Sequence, residues 1–287
     1  MLALPWPDRR GTRVRRASDP TDTLPLVGAF IRRDALVAWS YRLPLALDLV
    51  QTFLQLTFLF VLARLIGGRI SPGSVPGSYF GFVVLGASLL GILTTGLNSF
   101  SDRLRADQTS GTMEALLASP TGHSRVVIAS AAYDMLYATA TSTLAVLVAV
   151  LVFGLRLDAT PATLAVAFVT VVAAVSLFAS AGLALAAFVV VYKRGNGLVS
   201  LVTTGLTMIA GVYYPTRLLP GPLHVLAAAI PFTWALDVLR QALLTGHLLV
   251  GRLALLVGTA AALLPLAVWL LGRALVKARR DGSLGQF

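Results

Sequence analysis

Long apolar runs alternate with short polar segments along the chain, and this pattern predicts a membrane protein. A run of about 20 residues crosses the roughly 30 Å hydrocarbon core of a bilayer as a helix. The sequence predicts such spans at residues 44–66, 79–100, 127–153, 162–191, 197–213 and 252–272. The predicted fold is therefore all-α, a polytopic membrane protein with six transmembrane helices.

The residues before the first span have a different pattern. Residues 24–42 place apolar side chains at helical spacing on one face, which predicts a helix lying at the membrane interface. A solvated lead-in to the first span is the alternative. Residues 1–23 are rich in arginine and lack an apolar run, so we interpret them as a cytoplasmic tail without a cleavable signal peptide. The third predicted unit, residues 43–287, holds the six spans.

The stretch between the fifth and sixth spans, residues 213–251, is too apolar for an ordinary loop. Prolines interrupt it repeatedly and prevent one continuous crossing. Backbone at membrane depth must be hydrogen-bonded internally or covered by protein. We therefore predict two short re-entrant helices, at roughly 222–230 and 232–245, on the external side.

Four residues of this stretch are candidates for an external gate. Pro215 and Pro231 punctuate the short helices. Asp237 and Arg240 are three residues apart, a spacing that would let them pair on one helix face and support the gate.

Composition and charge agree with a bilayer environment. Hydrophobic residues make up 57% of the 287 positions and charged residues only 12%, too few to cover a soluble fold. The net charge of +11 comes from basic residues at the chain ends and in short gaps, so we expect no nucleic-acid partner. With the N-terminus inside, seventeen of the 23 basic residues lie in cytoplasmic segments. This predicts a multi-pass protein of the inner or plasma membrane with both termini cytoplasmic.

The sequence contains no recognisable catalytic motif. A P-loop needs glycines and a lysine in a fixed spacing, and neither Lys193 nor Lys277 lies in one. Cysteine is absent and the three histidines are scattered, so we expect no metal site and no cofactor held by this chain. The chain is predicted not to be an enzyme.

Polar residues inside the spans are candidates for a pathway or a protein interface. Asp48, Gln51 and Gln55 form a stripe on the first span, and Asp134 lies within the third. Such residues in hydrocarbon face protein or a water-filled cavity. For Asp48 the alternative is local pairing near the headgroups, one turn from Arg42.

The segment between the second and third spans carries the most specific pattern. It predicts a short amphipathic helix that opens at Gly111 and ends at Pro120, with Glu114 near its start. On pattern alone, this is equally well a helix that caps a loop. However, the run RADQTSGTMEALLASP, residues 105–120, resembles the signature segment of the ABC type-2 export permease family. Residues 213–246 are similar to that family's external re-entrant region.

The resemblance implies a mechanism for this segment. The helix would be a cytoplasmic coupling helix that docks into a separate ABC ATPase, with residues 24–42 as the connecting helix beside it. ATP and Mg²⁺ would be bound by that ATPase. The coupling residues implied are Gly111, Thr112, Met113, Glu114, Leu116, Leu117 and Pro120.

The resemblance further implies an exporter built with a second permease chain, as a homodimer or a heterodimer. Apolar spans with few fixed charges favour an amphiphilic substrate, a drug or a lipid, among the membrane lipids around the protein. A polysaccharide exporter, an ion-gradient-driven secondary transporter and a membrane anchor without transport are the alternatives. A secondary transporter would be expected to show more buried carboxylates and matched broken helices.

Overall fold

The structure is a computed structural model that describes residues 28, 31–33, 35–36, 42–67, 75–109, 123–192 and 196–280. Its helices, numbered in chain order, are α1 (Arg42–Gly67), α2 (Tyr79–Thr109), α3 (His123–Leu151), α4 (Pro161–Tyr192), α5 (Asn196–Ile209), α6 (Gly221–Ala229), α7 (Pro231–Thr245) and α8 (Val250–Arg280).

The predicted all-α membrane fold is confirmed. Five helices, α1, α2, α3, α4 and α8, are long and apolar enough to cross a bilayer, and the bent pair of α6 and α7 would bring the number to six if counted as one span. Helices α2, α3 and α8 run several residues beyond their apolar spans. Of the predicted interfacial helix, the described positions 28, 31–33 and 35–36 are helical. The rest of residues 24–42, and the tail before them, lie outside the described residues.

The fifth predicted span is shorter than expected. Helix α5 has 14 residues and so measures only about 21 Å. It ends at Ile209 because Gly211 adopts a φ of +76°, a left-handed conformation that ends a helix and that side chains other than glycine rarely tolerate. Residues 210–214 complete the segment as a turn rather than as helix.

The two short helices predicted between the last spans are present, and they form a re-entrant pair. Helices α6 and α7 meet at an angle of 81°. The chain before them is held at the start of α2, where the Tyr79 hydroxyl donates to the Tyr213 carbonyl at 3.1 Å. The chain at their far end is held before α4, where the Asp158 amide donates to the Leu243 carbonyl at 2.7 Å. Both ends therefore lie at the same end of the bundle, the one predicted to be external.

Helices α2 and α4 form the centre of the bundle. In α2, 67% of the span is buried, compared with 11% in α1. Gly96 of α2 and Gly182 of α4 lie at their crossing, where a Cβ atom added to Gly182 would overlap the Gly96 carbonyl. Close backbone approach through small residues is typical of helix packing in membranes. The rings of Phe178 and Phe232 pack edge to face at 5.4 Å and join α4 to α7.

Helix α1 is peripheral. It packs on α2 and α3 through one narrow face that includes Leu56 and Leu59. Near the external end, Phe60 contacts the rings of Phe80 and Phe153 with centroids at 5.3 and 5.2 Å. Most of its remaining apolar side chains are exposed on the single chain. This helix therefore offers a large apolar surface to lipid or to another protein.

Candidate transport site

A polar cleft lies between α1, α2 and α3, on the face where α1 is exposed. It is a cavity of about 140 Å³, and its polar wall consists of Thr52, Gln55, Ser88, Thr141 and Ser142. The Ser142 hydroxyl donates to the Ser88 carbonyl at 2.9 Å and so ties α3 to α2 beneath the cleft. Polar groups within apolar helices normally face protein or water-filled space, so this cleft is the candidate transport site on this face.

The predicted stripe on α1 borders this cleft. Gln55 lines it directly, while Asp48 and Gln51 lie nearer the start of α1 and are exposed on the single chain. The Tyr137 hydroxyl of α3 donates to Asp48 Oδ2 at 2.6 Å. Since Thr52 and Thr141 lie one turn beyond Asp48 and Tyr137, the pair is just below the cleft. The partner of Asp48 is thus on another helix.

The other intramembrane carboxylate, Asp134, lies one turn before Tyr137 on α3 and is half-buried. Tyr133 and Tyr137 stack beside it, with ring centroids 6.1 Å apart. The structure therefore brings both predicted carboxylates onto adjoining parts of α1 and α3.

At the external end, Arg240 fastens the re-entrant pair to the bundle. Its side chain is only 3% exposed. Its guanidinium donates to the carbonyls of Phe82 at 3.1 Å, Gly211 at 2.9 Å and Val212 at 2.7 Å. It also stacks on the Phe82 ring, 3.5 Å from the centroid. We call this set of contacts the arginine clamp; it joins α7 to α2 and to the turn that follows α5.

The arginine clamp requires a glycine on α2. A Cβ atom at Gly86 would overlap both the Arg240 guanidinium and the Val212 carbonyl. The planar guanidinium can reach several carbonyls at once because its donors have a fixed fork geometry. The re-entrant pair is consequently held by backbone contacts that do not depend on a partner carboxylate.

The pairing that the sequence suggested for Asp237 and Arg240 takes a different form. Asp237 forms an ion pair with Arg252 of α8, across the connection between α7 and α8. The guanidinium of Arg240 instead makes the contacts of the arginine clamp. The two side chains lie on different faces of α7. Arg240 is buried towards α2, and Asp237 is partly exposed towards α8.

The two candidate prolines occupy the predicted breaks. Pro231 is the first residue of α7, where a proline is favoured because its missing N–H is not needed. Pro215 precedes a short 3₁₀ turn, Thr216–Leu218, whose Leu218 amide donates to the Pro215 carbonyl at 3.0 Å. At the end of α7, Gly246 adopts a φ of +73° and caps the helix.

The predicted coupling segment, residues 111–120, lies outside the described residues. Its seven candidate residues therefore stay a prediction from the sequence. Three participants in the described sites were not predicted: Tyr137 as the partner of Asp48, Arg252 as the partner of Asp237, and Gly86 beneath Arg240. The one available signal was the position of Tyr137 at membrane depth, three residues after Asp134.

Comparison with known proteins places the chain in a family. The sequence profile of the ABC-2 type transporter family matches residues 25–244, which is most of the chain and includes the polar cleft and the arginine clamp. A search among curated proteins finds no match. Multiple apolar helices together with this match describe a multi-pass membrane permease that partners with an ABC ATPase. The chain belongs to the ABC-2 type transporter family.

Proposed function

We propose that this permease is one half of an ATP-driven exporter, completed by a second permease chain, and that it moves an amphiphile, a drug or a lipid, out of the cell. The observation that carries the proposal is the polar cleft on an otherwise apolar, exposed face of an ABC-2 family chain. A polar head would follow the cleft while an apolar tail stays against the surrounding side chains.

The exposed polar side chains of α1 support a second chain on this face. Only 11% of its span is buried, and Asp48 and Gln51 are exposed on it. A carboxylate facing hydrocarbon is costly, by about 2.5–3.5 kcal/mol at the bilayer centre, unless protein or water covers it. A partner permease would cover these side chains and enclose a pathway between the two polar clefts.

The test is reconstitution of this chain with its ATPase in proteoliposomes, with export of a fluorescent amphiphile as the measurement. We expect transport that requires ATP hydrolysis and stops with an ATPase variant lacking its catalytic carboxylate. Transport driven by an ion gradient without the ATPase would contradict the proposal. A polysaccharide as the sole substrate would correct the substrate class only.

The orientation can be tested in the natural background because the chain contains no cysteine. We expect Gly221→Cys, exposed at the start of α6, to react with a membrane-impermeant thiol reagent in intact cells. Ser110→Cys should react only after the cells are broken, since the excess of basic residues places it in the cytoplasm. The reverse labelling pattern would overturn the predicted topology.

The Asp48–Tyr137 pair is expected to matter for transport. Tyr137→Phe removes this hydrogen bond, whereas Asp48→Asn removes a carboxylate but keeps an oxygen that can accept from Tyr137. We expect both variants to lower the export rate, and Tyr137→Phe to lower it about tenfold. Asp134→Asn tests the second carboxylate in the same assay. Thr57→Val is the matched control, because the Thr57 hydroxyl bonds only its own helix, at the Phe53 carbonyl. If both carboxylate variants export normally and assemble normally, these residues do not line the pathway.

Glu114, the single glutamate of the chain, is expected to couple the permease to the ATPase. An exposed carboxylate at a helix start stabilises the permease by only about 0.3–1 kcal/mol. Losing a charged contact at a docking face costs about 2 kcal/mol or more. Glu114→Ala should therefore abolish most export and weaken ATPase copurification while expression stays normal. Asp102→Asn, exposed on α2, is the control; unchanged export by the Glu114 variant would refute the coupling role.

A further inference from the structure

A second cavity, of about 350 Å³, lies beneath the tip of the re-entrant pair. Ile230 and Pro231, where α6 meets α7, line it together with Phe178 of α4. Its lining is otherwise apolar. Ser180 is the exception, and its hydroxyl already donates to the Ser176 carbonyl at 2.7 Å. Among the described residues, the lining therefore offers no other polar side chain to hold water, and apolar cavities of this kind stay dry.

The cavity is at the depth of lipid tails. Leu93 lines it, 14 residues after Tyr79, which places it about 21 Å along α2 from the external end. This is beyond the middle of a hydrocarbon core of roughly 30 Å. An engineered protein cavity of roughly 150 Å³ binds benzene, so a cavity of about 350 Å³ has room for a considerably larger hydrocarbon.

The mouth of the cavity opens on α8. Leu263, Leu266 and Leu270 line it and are 40%, 48% and 39% exposed, respectively. Ala184 of α4 lies on the same rim and is exposed as well. An aliphatic chain lying against α8 can therefore enter sideways from the bilayer.

A cation lies next to this mouth. Arg273 is one turn beyond Leu270, on the same stripe of α8, because residues three and four apart share a helix face. Its side chain is exposed, and its guanidinium lies 4.6 Å from the centre of the Trp269 ring. An arginine and a tryptophan at the end of an apolar span, which here ends at Ala274, are typical of the headgroup level of a membrane. Arg273 follows Leu270, which lines the mouth, by three residues, or about 4.5 Å along α8.

We infer that the cavity binds one acyl chain of a phospholipid from the leaflet at the carboxyl end of α8, with its phosphate on Arg273. Arginine recognises phosphate through charge-assisted, bidentate hydrogen bonds. The bound chain fills the space under Ile230 and Pro231, so it supports the tip of the re-entrant pair from below. This lipid is a resident ligand, bound at a site separate from the polar cleft.

The experiment uses the complex of the full chain with its ATPase in phosphatidylcholine vesicles. Phosphatidylglycerol with a photoreactive diazirine in the middle of one acyl chain is the probe, and peptide mapping is the measurement. We expect labelling concentrated on residues 263–270, 181–184 and 230–232. Labelling spread evenly over all lipid-facing helices would overturn the inference. So would a disulfide-linked dimer through Leu266→Cys, which would show a second copy of the chain covering the mouth.

Two variants separate the tail from the headgroup. Ala184→Trp blocks the mouth and should lower labelling of residues 263–270 at least about fivefold, whereas Ala261→Trp, exposed elsewhere on α8, should leave it unchanged. Arg273→Gln should remove the preference for the anionic probe over a phosphatidylcholine probe, and Arg156→Gln, exposed at the other end of the bundle, should retain it. Normal labelling of the Ala184 variant would contradict the site, and an unchanged preference in the Arg273 variant would contradict the phosphate contact.

Discussion

Arg240→Met is expected to destabilise the permease by at least about 2 kcal/mol, and more than any other single charge removal among the described residues. Methionine fills a similar volume but cannot donate a hydrogen bond, so the carbonyls of Gly211 and Val212 lose their donor inside the protein. A buried polar group left without a partner costs about 1–3 kcal/mol. Removing the buried positive charge offsets part of this loss of stability, because the cost of burying that charge disappears as well. We therefore expect a value at the lower end of the summed costs for the two carbonyls.

The measurement is thermal unfolding of the purified permease in detergent, with limited proteolysis after residue 211 as a second readout of the loosened turn. Arg240→Lys should give an intermediate result because an ammonium is a point charge and cannot span three carbonyls. Arg252→Met is the matched control. It breaks a partly exposed ion pair with Asp237, and such pairs contribute about 0–1 kcal/mol. Equal stability losses at Arg240 and Arg252 would contradict the arginine clamp.

Gly182→Leu is expected to prevent α2 and α4 from packing and to abolish the folded permease. Even a single methyl group at this position would overlap the Gly96 carbonyl and come within 2.9 Å of the Phe100 ring. Overpacking a well-filled interior costs about 1–3 kcal/mol when side chains can shift, and more when backbone must move, as here. Gly182→Ala should therefore also destabilise, by about 3 kcal/mol.

The control for this prediction is Gly258→Leu. Gly258 is exposed on α8, and a Cβ atom added there would meet no atom of a neighbouring helix within 4 Å. A leucine there replaces a poor helix former by a good one, which favours the helix by up to about 1 kcal/mol. Monodisperse elution of the Gly182 variant at the wild-type unfolding temperature would show that the helices do not cross at this glycine.

The spans were predictable because each depends on a property that the sequence displays directly. A run of about 20 apolar residues indicates a helix that spans a membrane. Four prolines within a short stretch cannot belong to one straight helix. The predicted break between α6 and α7 thus lies within one residue of the observed break at Ile230. The early end of α5 was not, since a glycine at position 211 signals a turn only when its positive φ is known.

The contacts of the candidate sites were less predictable because they connect distant parts of the chain. Asp237 and Arg240 have a spacing that favours a local pair, yet the guanidinium of Arg240 meets carbonyls 28 and 158 residues away in sequence. Every residue has a backbone carbonyl, so the sequence does not show which carbonyls accept hydrogen bonds from Arg240. Tyr137 and Asp48 are 89 residues apart, and nothing in either helix identifies the other as its partner.

The sequence separation of the arginine clamp also sets an order for biogenesis. Helices α1, α2 and α3 are neighbours along the chain and can pack as soon as they leave the translocon. The contact between Phe82 and Arg240 cannot form until Arg240 is synthesised, 158 residues later. At a synthesis rate of about 5–20 residues per second, this delay is on the order of 10–30 seconds. During that interval the face of α2 that later receives Arg240 is uncovered near the external end of the bundle. It is therefore the surface on which we expect a membrane chaperone or an insertase to hold the nascent chain.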